Sequence, residues 1–149
     1  MLEISIIIFV VVADQISKYL ASNFLKPLVS VPIIKGVFNL TYVENRGAAF
    51  GIMQNQRWIL VILPLIIIAA IVIYLIAHPN ESLLRKISLA IILGGAIGNL
   101  VDRVLLGYVV DMFNTTFISF PVFNVADSAV VCGTFLLAYQ LLFKDQPQS

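Results

Sequence analysis

Four apolar segments, each close to the length needed to cross a lipid bilayer, constrain this chain more than any other feature of its sequence. They lie near residues 2–20, 58–77, 87–106 and 126–143 of the 149-residue chain. The hydrocarbon core of a bilayer is about 30 Å thick, and roughly 20 helical residues cross it. Hydrophobic residues make up 60% of the chain and charged residues only 11%, which excludes an ordinary soluble domain. The sequence therefore predicts an integral membrane protein with four transmembrane helices.

The connections between these segments differ in length and character. The long loop over residues 21–57 contains VFNLTYVEN, in which the apolar residues Phe38, Leu40 and Tyr42 alternate with polar ones. Alternation with a period of two is typical of a β-strand, and we expect a strand over residues 37–43. The expected fold is an all-α transmembrane one: a four-helix polytopic protein forming one domain over residues 1–149, with a small β element at the membrane surface. The last residues, 144–149, predict a polar tail.

Several classes of function are excluded by what the chain lacks. The net charge is +1 and the basic residues are scattered, so no basic face is present to bind nucleic acid. The single histidine, His78, lies in a loop on the opposite side of the membrane from the acidic residues, which excludes a serine–histidine pair. Neither an HExxH motif nor a GxSxG motif occurs. We expect no metal and no other cofactor.

Four aspartates fall toward one face of the membrane. They are contributed by three of the predicted helices and by the segment that follows the third, and they are Asp14, Asp102, Asp111 and Asp127. An ionised carboxylate at the centre of a membrane helix costs at least about 2.5 kcal/mol. Each of these residues therefore requires a partner or a function.

The polar residues of the first and third helices fit a structural role. Asp14 and Lys18 are four residues apart on one helix face, which favours a buried ion pair over a direct part in chemistry. Asn99, Asp102 and Arg103 share a face of the third helix by the same spacing. They can join helices through hydrogen bonds, or Arg103 can hold a substrate carbonyl or orient a catalytic acid.

Asp111 and Asp127 are more informative together than separately. Alone, Asp127 fits a helix cap, because Asn124 precedes it by three residues. Asp111 lies in the apolar run VVDMF, where a cap does not explain it. If the chain turns back at Pro121, the two carboxylates meet and one of them retains a proton. The other then takes a proton from water, which is the chemistry of an aspartic protease. The helix dipole favours Asp127 as the base and Asp111 as the acid.

Five motifs in order give the chain a family resemblance. They are DQISK (14–18), ENRGAAFG (44–51), GNLVDR (98–103), VVDMF (109–113) and FNVAD (123–127). Together they resemble bacterial lipoprotein signal peptidase, also called signal peptidase II. The resemblance implies an aspartic endopeptidase that removes the signal peptide of a prolipoprotein, cutting on the N-terminal side of its diacylglyceryl-modified cysteine. It implies a catalytic pair formed by Asp111 and Asp127.

The resemblance also implies roles for seven further residues. Four line the substrate site or support the catalytic pair, namely Asn45, Asn99, Arg103 and Asn124. Three hold the architecture, namely Asp14, Lys18 and Asp102. The implied partners are diacylglyceryl-modified prolipoproteins, membrane lipids and inhibitors of the globomycin type, with no nucleic acid, and we expect a monomer.

Two lines of reasoning disagree on the orientation. The resemblance implies a multi-pass protein of the bacterial cytoplasmic membrane, with both termini cytoplasmic and the active site facing outward. The positive-inside rule favours the reverse, because the long loop carries Lys26, Lys35, Arg46 and Arg57 while the terminal side carries Arg85, Lys86 and Lys144. We follow the resemblance, because cations of the long loop can pair with acids or lipid headgroups.

Two functions of other classes remain possible on the residues alone. In a small proton-coupled transporter, the intramembrane acids would relay protons. Transporters place such groups near the bilayer midplane and use internal repeats, whereas these acids lie toward one face and no repeat is found. In a non-enzymatic assembly subunit, all of the aspartates would be structural.

Overall fold

The computed structural model describes residues 1–48, 52–54 and 56–144, and this part of the chain contains four long helices. They are α1 (Leu2–Leu20), α2 (Arg57–Ala77), α3 (Leu83–Leu105) and α4 (Val125–Phe143). All four are long and apolar enough to cross a membrane, which confirms the predicted multi-pass membrane protein. The predicted bounds hold to within one residue except at the start of α3. This helix begins four residues earlier than expected, because the Ser82 hydroxyl caps it by accepting a hydrogen bond from the Arg85 backbone N–H at 3.3 Å.

The fold is not all-α, and this part of the prediction is corrected. Three antiparallel strands form one sheet in the order β1 (Ser30–Ile34), β2 (Phe38–Asn45) and β3 (Val109–Thr115). The predicted strand over residues 37–43 is β2. Its partners were not predicted, because a period of two marks a strand but does not identify its neighbour. β3 follows α3 directly, so the sheet joins the long loop to the third helix.

The sheet packs against the end of the first helix. After Leu20 the helix continues into a π-helical turn, Ala21–Leu25. Ala21 forms a small apolar core with Val110 and Met112 of β3, and Tyr42 packs against this core from β2. The sheet is therefore attached to α1 by apolar contacts as well as by its own hydrogen bonds.

Glycines bring α3 close to two of the other helices. A Cβ on Gly94 would lie 2.7 Å from the Val10 Cβ of α1, and a Cβ on Gly95 would lie 2.4 Å from the carbonyl oxygen of Ala126 in α4. Gly98 also faces α1. Gly94 and Gly98, four residues apart, therefore both lie at the α1 contact, where close approach substitutes for the hydrophobic effect that lipid does not provide.

The buried part of the molecule is unusually polar. Polar or charged side chains that are at most 8% exposed include Asp14, Lys18, Ser88, Asn99, Asp102, Asp111, Asn124 and Gln140. Most apolar side chains of α2 point outward instead, as expected for a helix surrounded by lipid. Six of these eight polar residues belong to the predicted site, so most of the buried polar side chains lie at the end of the helices near the sheet.

Parts of two predicted segments lie outside the described residues. They are residues 49–51 of the ENRGAAFG motif and residues 145–149 of the polar tail. The described part of the motif, residues 44–48, contains the end of β2 and Gly47.

We predict that Gly95→Ala destabilises the protein by about 1–3 kcal/mol, because the added methyl group overlaps backbone that cannot rotate away. Thermal unfolding in detergent micelles measures the effect. Leu105→Ala, at a side chain 74% exposed on the same helix, is the control and should change the stability by less than about 0.5 kcal/mol. Equal stability of the Gly95 variant and the wild type would contradict the close α3–α4 contact.

Candidate active site

Asp111 and Asp127 line one cleft at the end of the helices nearest the sheet. β3 places Asp111, and the first turn of α4 places Asp127. The cleft has a volume of about 400 Å³ and is also lined by Asn45, Asn99 and Arg103. Five of the nine residues singled out in the sequence therefore share one cavity.

The chain between the two aspartates turns back on itself, as predicted. The Phe113 N–H donates to the Phe123 carbonyl at 2.8 Å, and the Phe123 N–H donates to the Phe113 carbonyl at 3.1 Å. This antiparallel bridge joins the segment before α4 to β3, with Pro121 in the returning part. The bridge brings the start of α4 next to Asp111.

Asp127 is both a helix cap and a wall of the cleft. One carboxylate oxygen, Oδ2, accepts the Asn124 backbone N–H at 3.2 Å, and the Asn124 side chain accepts the Asp127 N–H at 2.8 Å. These two bonds form the predicted capping box. The other oxygen, Oδ1, accepts the Asn99 amide at 2.7 Å. The cap and the site are therefore the same carboxylate rather than alternatives.

Asp111 is almost completely buried, with 1% of its surface exposed. Its two oxygens accept the Asn45 amide at 2.9 Å and the Asn124 amide at 2.6 Å. Burial raises the pKa of the Asp111 carboxyl to about 6, and the negative charge of Asp127 adds to this. The hydrogen bonds from Asn45 and Asn124 and the positive charge of Lys18 act in the opposite direction. Asp111 therefore retains a proton at a higher pH than an ordinary aspartate.

Two asparagines connect the carboxylates. Asn124 donates to Asp111 and also to Asn99 Oδ1, at 3.1 Å for the latter, and Asn99 in turn donates to Asp127. Both side chains are at most 8% exposed. This chain of hydrogen bonds, from Asp111 through Asn124 and Asn99 to Asp127, holds the two carboxylates in a fixed relation.

Asp14, Lys18 and Asp102 form a second buried cluster behind the cleft. The Lys18 ammonium lies 2.8 Å from Asp14 Oδ2 and 3.2 Å from Asp102 Oδ2, and it donates to Asn99 Oδ1 at 2.9 Å. The predicted Asp14–Lys18 ion pair is present, and Asp102 is its second acid. None of the three lines the cleft.

Arg103 reaches the cleft from α3. Its terminal nitrogen Nη2 donates to the Gly47 carbonyl at 3.4 Å, next to the turn that follows β2. Its Nε is buried and has no hydrogen-bond partner within residues 1–48, 52–54 and 56–144. The Gly47 N–H donates to Asn45 Oδ1 at 2.9 Å, which directs the Asn45 amide nitrogen toward Asp111.

The phenylalanines after Asp111 divide between two environments. Phe120 and Phe123 line the cleft and contact each other edge to face, with ring centroids 5.8 Å apart. Phe117 points outward and is 62% exposed. Phe120 and Phe123 therefore add apolar surface to the cleft, whereas Phe117 is not among its lining residues.

One residue that supports the site was not singled out from the sequence. Gln15 donates to Asp102 Oδ1 at 3.0 Å and to Asp14 Oδ2 at 3.2 Å, so it supports the buried acids. A polar residue within an otherwise apolar helix was the available signal.

Apolar side chains of α2 and α4 form part of the cleft wall. Pro64 and Ile67 of α2 form one wall, and Val130 and Val131 of α4 form the other. Ile67 is 44% exposed and Val131 is 51% exposed, so exposed apolar side chains of two helices that are apolar enough to cross a membrane border the cleft. The acids and these apolar side chains therefore line the same cleft.

Comparison with known proteins identifies the family. The family model described as signal peptidase (SPase) II matches residues 6–143. The chain belongs to the signal peptidase II family. It is 50% identical over 144 residues to a lipoprotein signal peptidase of Caldanaerobacter subterraneus subsp. tengcongensis, covering 96% of this chain and 97% of the relative. It is 46% identical over 147 residues to a lipoprotein signal peptidase of Clostridioides difficile, covering 98% and 99% respectively.

Solved structures of bacterial membrane enzymes have the same fold. One, obtained by the in meso method at 2.3 Å resolution, matches with a TM-score of 0.92 and 34% identity over 99% of this chain and 91% of the other. A second, at 1.9 Å, matches with a TM-score of 0.85 and 36% identity over 96% of this chain and 93% of the other. Membership of the signal peptidase II family makes this chain a membrane-embedded peptidase.

We predict opposite effects of two substitutions on the titration of Asp111. Asn45→Ala removes a donor to the ionised carboxylate and should move the pKa of Asp111 above about 6, whereas Asp127→Asn removes a neighbouring negative charge and should lower it. Carboxyl-carbon NMR of protein labelled with ¹³C-aspartate measures both, with Asp111→Asn to assign the signal. Equal titration midpoints in the two variants would contradict the electrostatics described here.

Proposed function

We propose that this chain is an aspartic endopeptidase, acting as a single domain over residues 1–149, in which Asp111 and Asp127 activate the water that cuts the substrate. The observation that carries the proposal is the shared cleft: two carboxylates from different elements face one cavity and are connected through Asn124 and Asn99. Aspartic proteases need such a pair, sharing one proton.

The surroundings of the two acids give them different roles. Burial favours the protonated form of Asp111, whose pKa is about 6. The N-terminus of α4 and its capping box favour the ionised form of Asp127. Asp127 is therefore proposed as the base and Asp111 as the acid.

The proposed reaction follows from these roles. Asp127 takes a proton from water as the water oxygen attacks the carbonyl carbon of the scissile peptide bond, and Asp111 gives its proton to the carbonyl oxygen. The tetrahedral intermediate collapses when the carbonyl re-forms and returns that proton to Asp111. The proton held by Asp127 passes to the leaving nitrogen, so both acids end as they began.

Arg103 and Asn45 are proposed to assist the substrate and the acids. The buried Nε of Arg103 is a donor suited to a backbone carbonyl of the bound peptide. Asn45 holds Asp111 from the end of β2, so its amide limits how far the carboxyl can rotate. Phe120 and Phe123 add an apolar surface for the substrate chain.

The proposed substrate is a prolipoprotein, cut on the N-terminal side of its diacylglyceryl-modified cysteine. The relatives' name, lipoprotein signal peptidase, supports this substrate class. The apolar walls of the cleft suit a substrate that carries both an apolar signal segment and acyl chains. Membrane lipids and inhibitors of the globomycin type are proposed as further ligands of the same region, and the proposed unit is a monomer.

The proposed location is the bacterial cytoplasmic membrane, with both termini in the cytoplasm and the sheet and acids on the outer side. Three of the four long-loop cations that opposed this orientation in the sequence have partners within the protein. Lys26 and Arg46 pair with Glu44, and Arg57 donates to the carbonyls of Arg103 and Val104 at 3.1 and 2.7 Å, at the C-terminus of α3. The two rival functions, a transporter and an assembly subunit, lose support because the chain is a signal peptidase II family member.

We predict that Asp111→Asn and Asp127→Asn each reduce cleavage at least about 1000-fold, because each removes one half of the acid–base pair. The assay uses purified protein in detergent micelles with a diacylglyceryl-modified precursor peptide. Asparagine retains a carbonyl oxygen for the cap at position 127, so the variant should fold. Thermal unfolding checks this. Glu3→Gln, at a carboxylate paired with the N-terminal amine, is the control and should cleave normally. Normal cleavage by either aspartate variant would refute the mechanism.

Chelation distinguishes this mechanism from a metal-dependent one. Because water is activated by two carboxylates in the proposal, we expect EDTA at millimolar concentration to leave the cleavage rate unchanged. Strong inhibition by EDTA that is reversed by adding a divalent cation would assign the acids to a metal site instead.

We predict that the sheet side of the protein is accessible from outside the cell. In a Cys132→Ser background, a membrane-impermeant maleimide should label Lys35→Cys in intact spheroplasts but label Asn80→Cys only after lysis. Both positions are exposed, Lys35 between β1 and β2 and Asn80 between α2 and α3. The reverse labelling pattern would place the acids on the cytoplasmic side, as the simple count of basic residues suggests.

A further inference from the structure

Lys18 contacts three acceptors, and each acceptor is connected to one or both of the proposed catalytic aspartates. Its ammonium is 4% exposed and carries three protons, and within hydrogen-bonding distance it has Asp14, Asp102 and Asn99. It does not line the cleft. An ammonium group with all three protons engaged in this way is fixed in position and in turn fixes its partners.

Each acid that pairs with Lys18 holds the backbone immediately before one catalytic aspartate. Asp102 Oδ2 accepts the N–H of Val110, the residue before Asp111, at 3.0 Å. Asp14 Oδ1 accepts the N–H of Ala126, the residue before Asp127, at 2.9 Å. The cation therefore sets the separation between two backbone positions that come from β3 and α4.

The third contact determines which way an asparagine points. An ammonium group only donates hydrogen bonds, so the Asn99 atom facing Lys18 at 2.9 Å is its oxygen. The Asn99 nitrogen must then face Asp127, to which it donates at 2.7 Å. The Asn124 nitrogen donates to the same Asn99 oxygen and to Asp111. One charge behind the cleft thus orients both amides that connect the aspartates.

We propose that Lys18 is a positioning residue for catalysis, which sets the geometry of Asp111 and Asp127 together through Asp14, Asp102 and Asn99. This inference rests on the proposed aspartic mechanism. It assigns to the α1 motif a function beyond joining helices, because a purely structural ion pair would not need to reach both aspartates.

The charged groups around the catalytic pair come from four elements, while β2 contributes the uncharged Asn45 amide. They are Asp14 and Lys18 from α1, Asp102 and Arg103 from α3, and the two aspartates of β3 and α4 themselves. Burial raises the pKa of the Asp111 carboxyl, and Lys18 is among the groups that lower it. Loss of the Lys18 charge should therefore move the titration of Asp111 to higher pH, whereas loss of helix packing alone should not.

The test compares Lys18→Met with Arg85→Met in the same cleavage assay. Arg85 also pairs with an acid four residues away, Glu81 at 2.7 Å, but it lies at the opposite end of α3. Both variants lose a partly or fully buried cation and are expected to lose stability. Lys18→Met should lower kcat about 100-fold with KM nearly unchanged, and should shift the alkaline limb of the pH profile upward. Arg85→Met should retain the wild-type kcat and pH profile.

A double variant keeps the test decisive if Lys18→Met does not fold. Asp14→Asn with Lys18→Met removes one charge of each sign, and the new asparagine still offers an oxygen to the Ala126 N–H. This variant should fold and still lose kcat, because Asn99 is no longer oriented. If Asp111→Asn is inactive, folded Lys18 variants with the wild-type kcat and pH profile would overturn this inference and leave the aspartic mechanism standing. An active Asp111→Asn variant would overturn the mechanism on which it rests.

Discussion

The structure depends on one buried cation placed among acids. Lys18 lies between carboxylates of α1 and α3, and these carboxylates hold the backbone at β3 and α4. Breaking a buried ion pair on one side typically costs 3–5 kcal/mol, because the remaining charge has no water to solvate it. This penalty disfavours any arrangement of the helices and the sheet in which one of these charged groups lacks its partner. Gln15 completes the cluster by donating to both acids from the side away from the cleft.

The surrounding lipid explains why the fold relies on this buried charged cluster. Lipid is as apolar as the helices, so burying leucine between helices gains little, and specificity must come from close packing and polar contacts. Both occur together on α3. Gly98 is the clearest case, because a Cβ there would lie 2.6 Å from Asp14 Oδ2, so the glycine is what allows the charged cluster to reach the helix. The contact between α3 and α4 at Gly95 then fixes the wall that carries Asp127.

What could be predicted from the sequence was local, and what could not was set by contacts between distant segments. The four spans follow from hydropathy, the Asn124–Asp127 capping box from a spacing of three, and the Asp14–Lys18 pair from a spacing of four. The pairing of β2 with β3 and the bond from Asn45 to Asp111 join segments far apart in the chain, so periodicity could not reveal them. The convergence of acids on one face predicted a candidate site and the helix dipole predicted Asp127 as its base, while the burial of Asp111, which favours its protonated form, is given only by the structure.

The apolar walls of the cleft affect how the proposed peptidase encounters its substrate. These walls include half-exposed side chains of α2 and α4, both apolar enough to cross a membrane, so a substrate that enters between these helices would come from hydrocarbon rather than from water. A substrate held in the same bilayer approaches by diffusion in two dimensions, already at the correct depth and with its long axis roughly fixed. Part of the translational and rotational entropy of encounter is thus removed by the membrane before any contact forms. Weak contacts along the passage are then enough for capture, and the product can leave by the same lateral route.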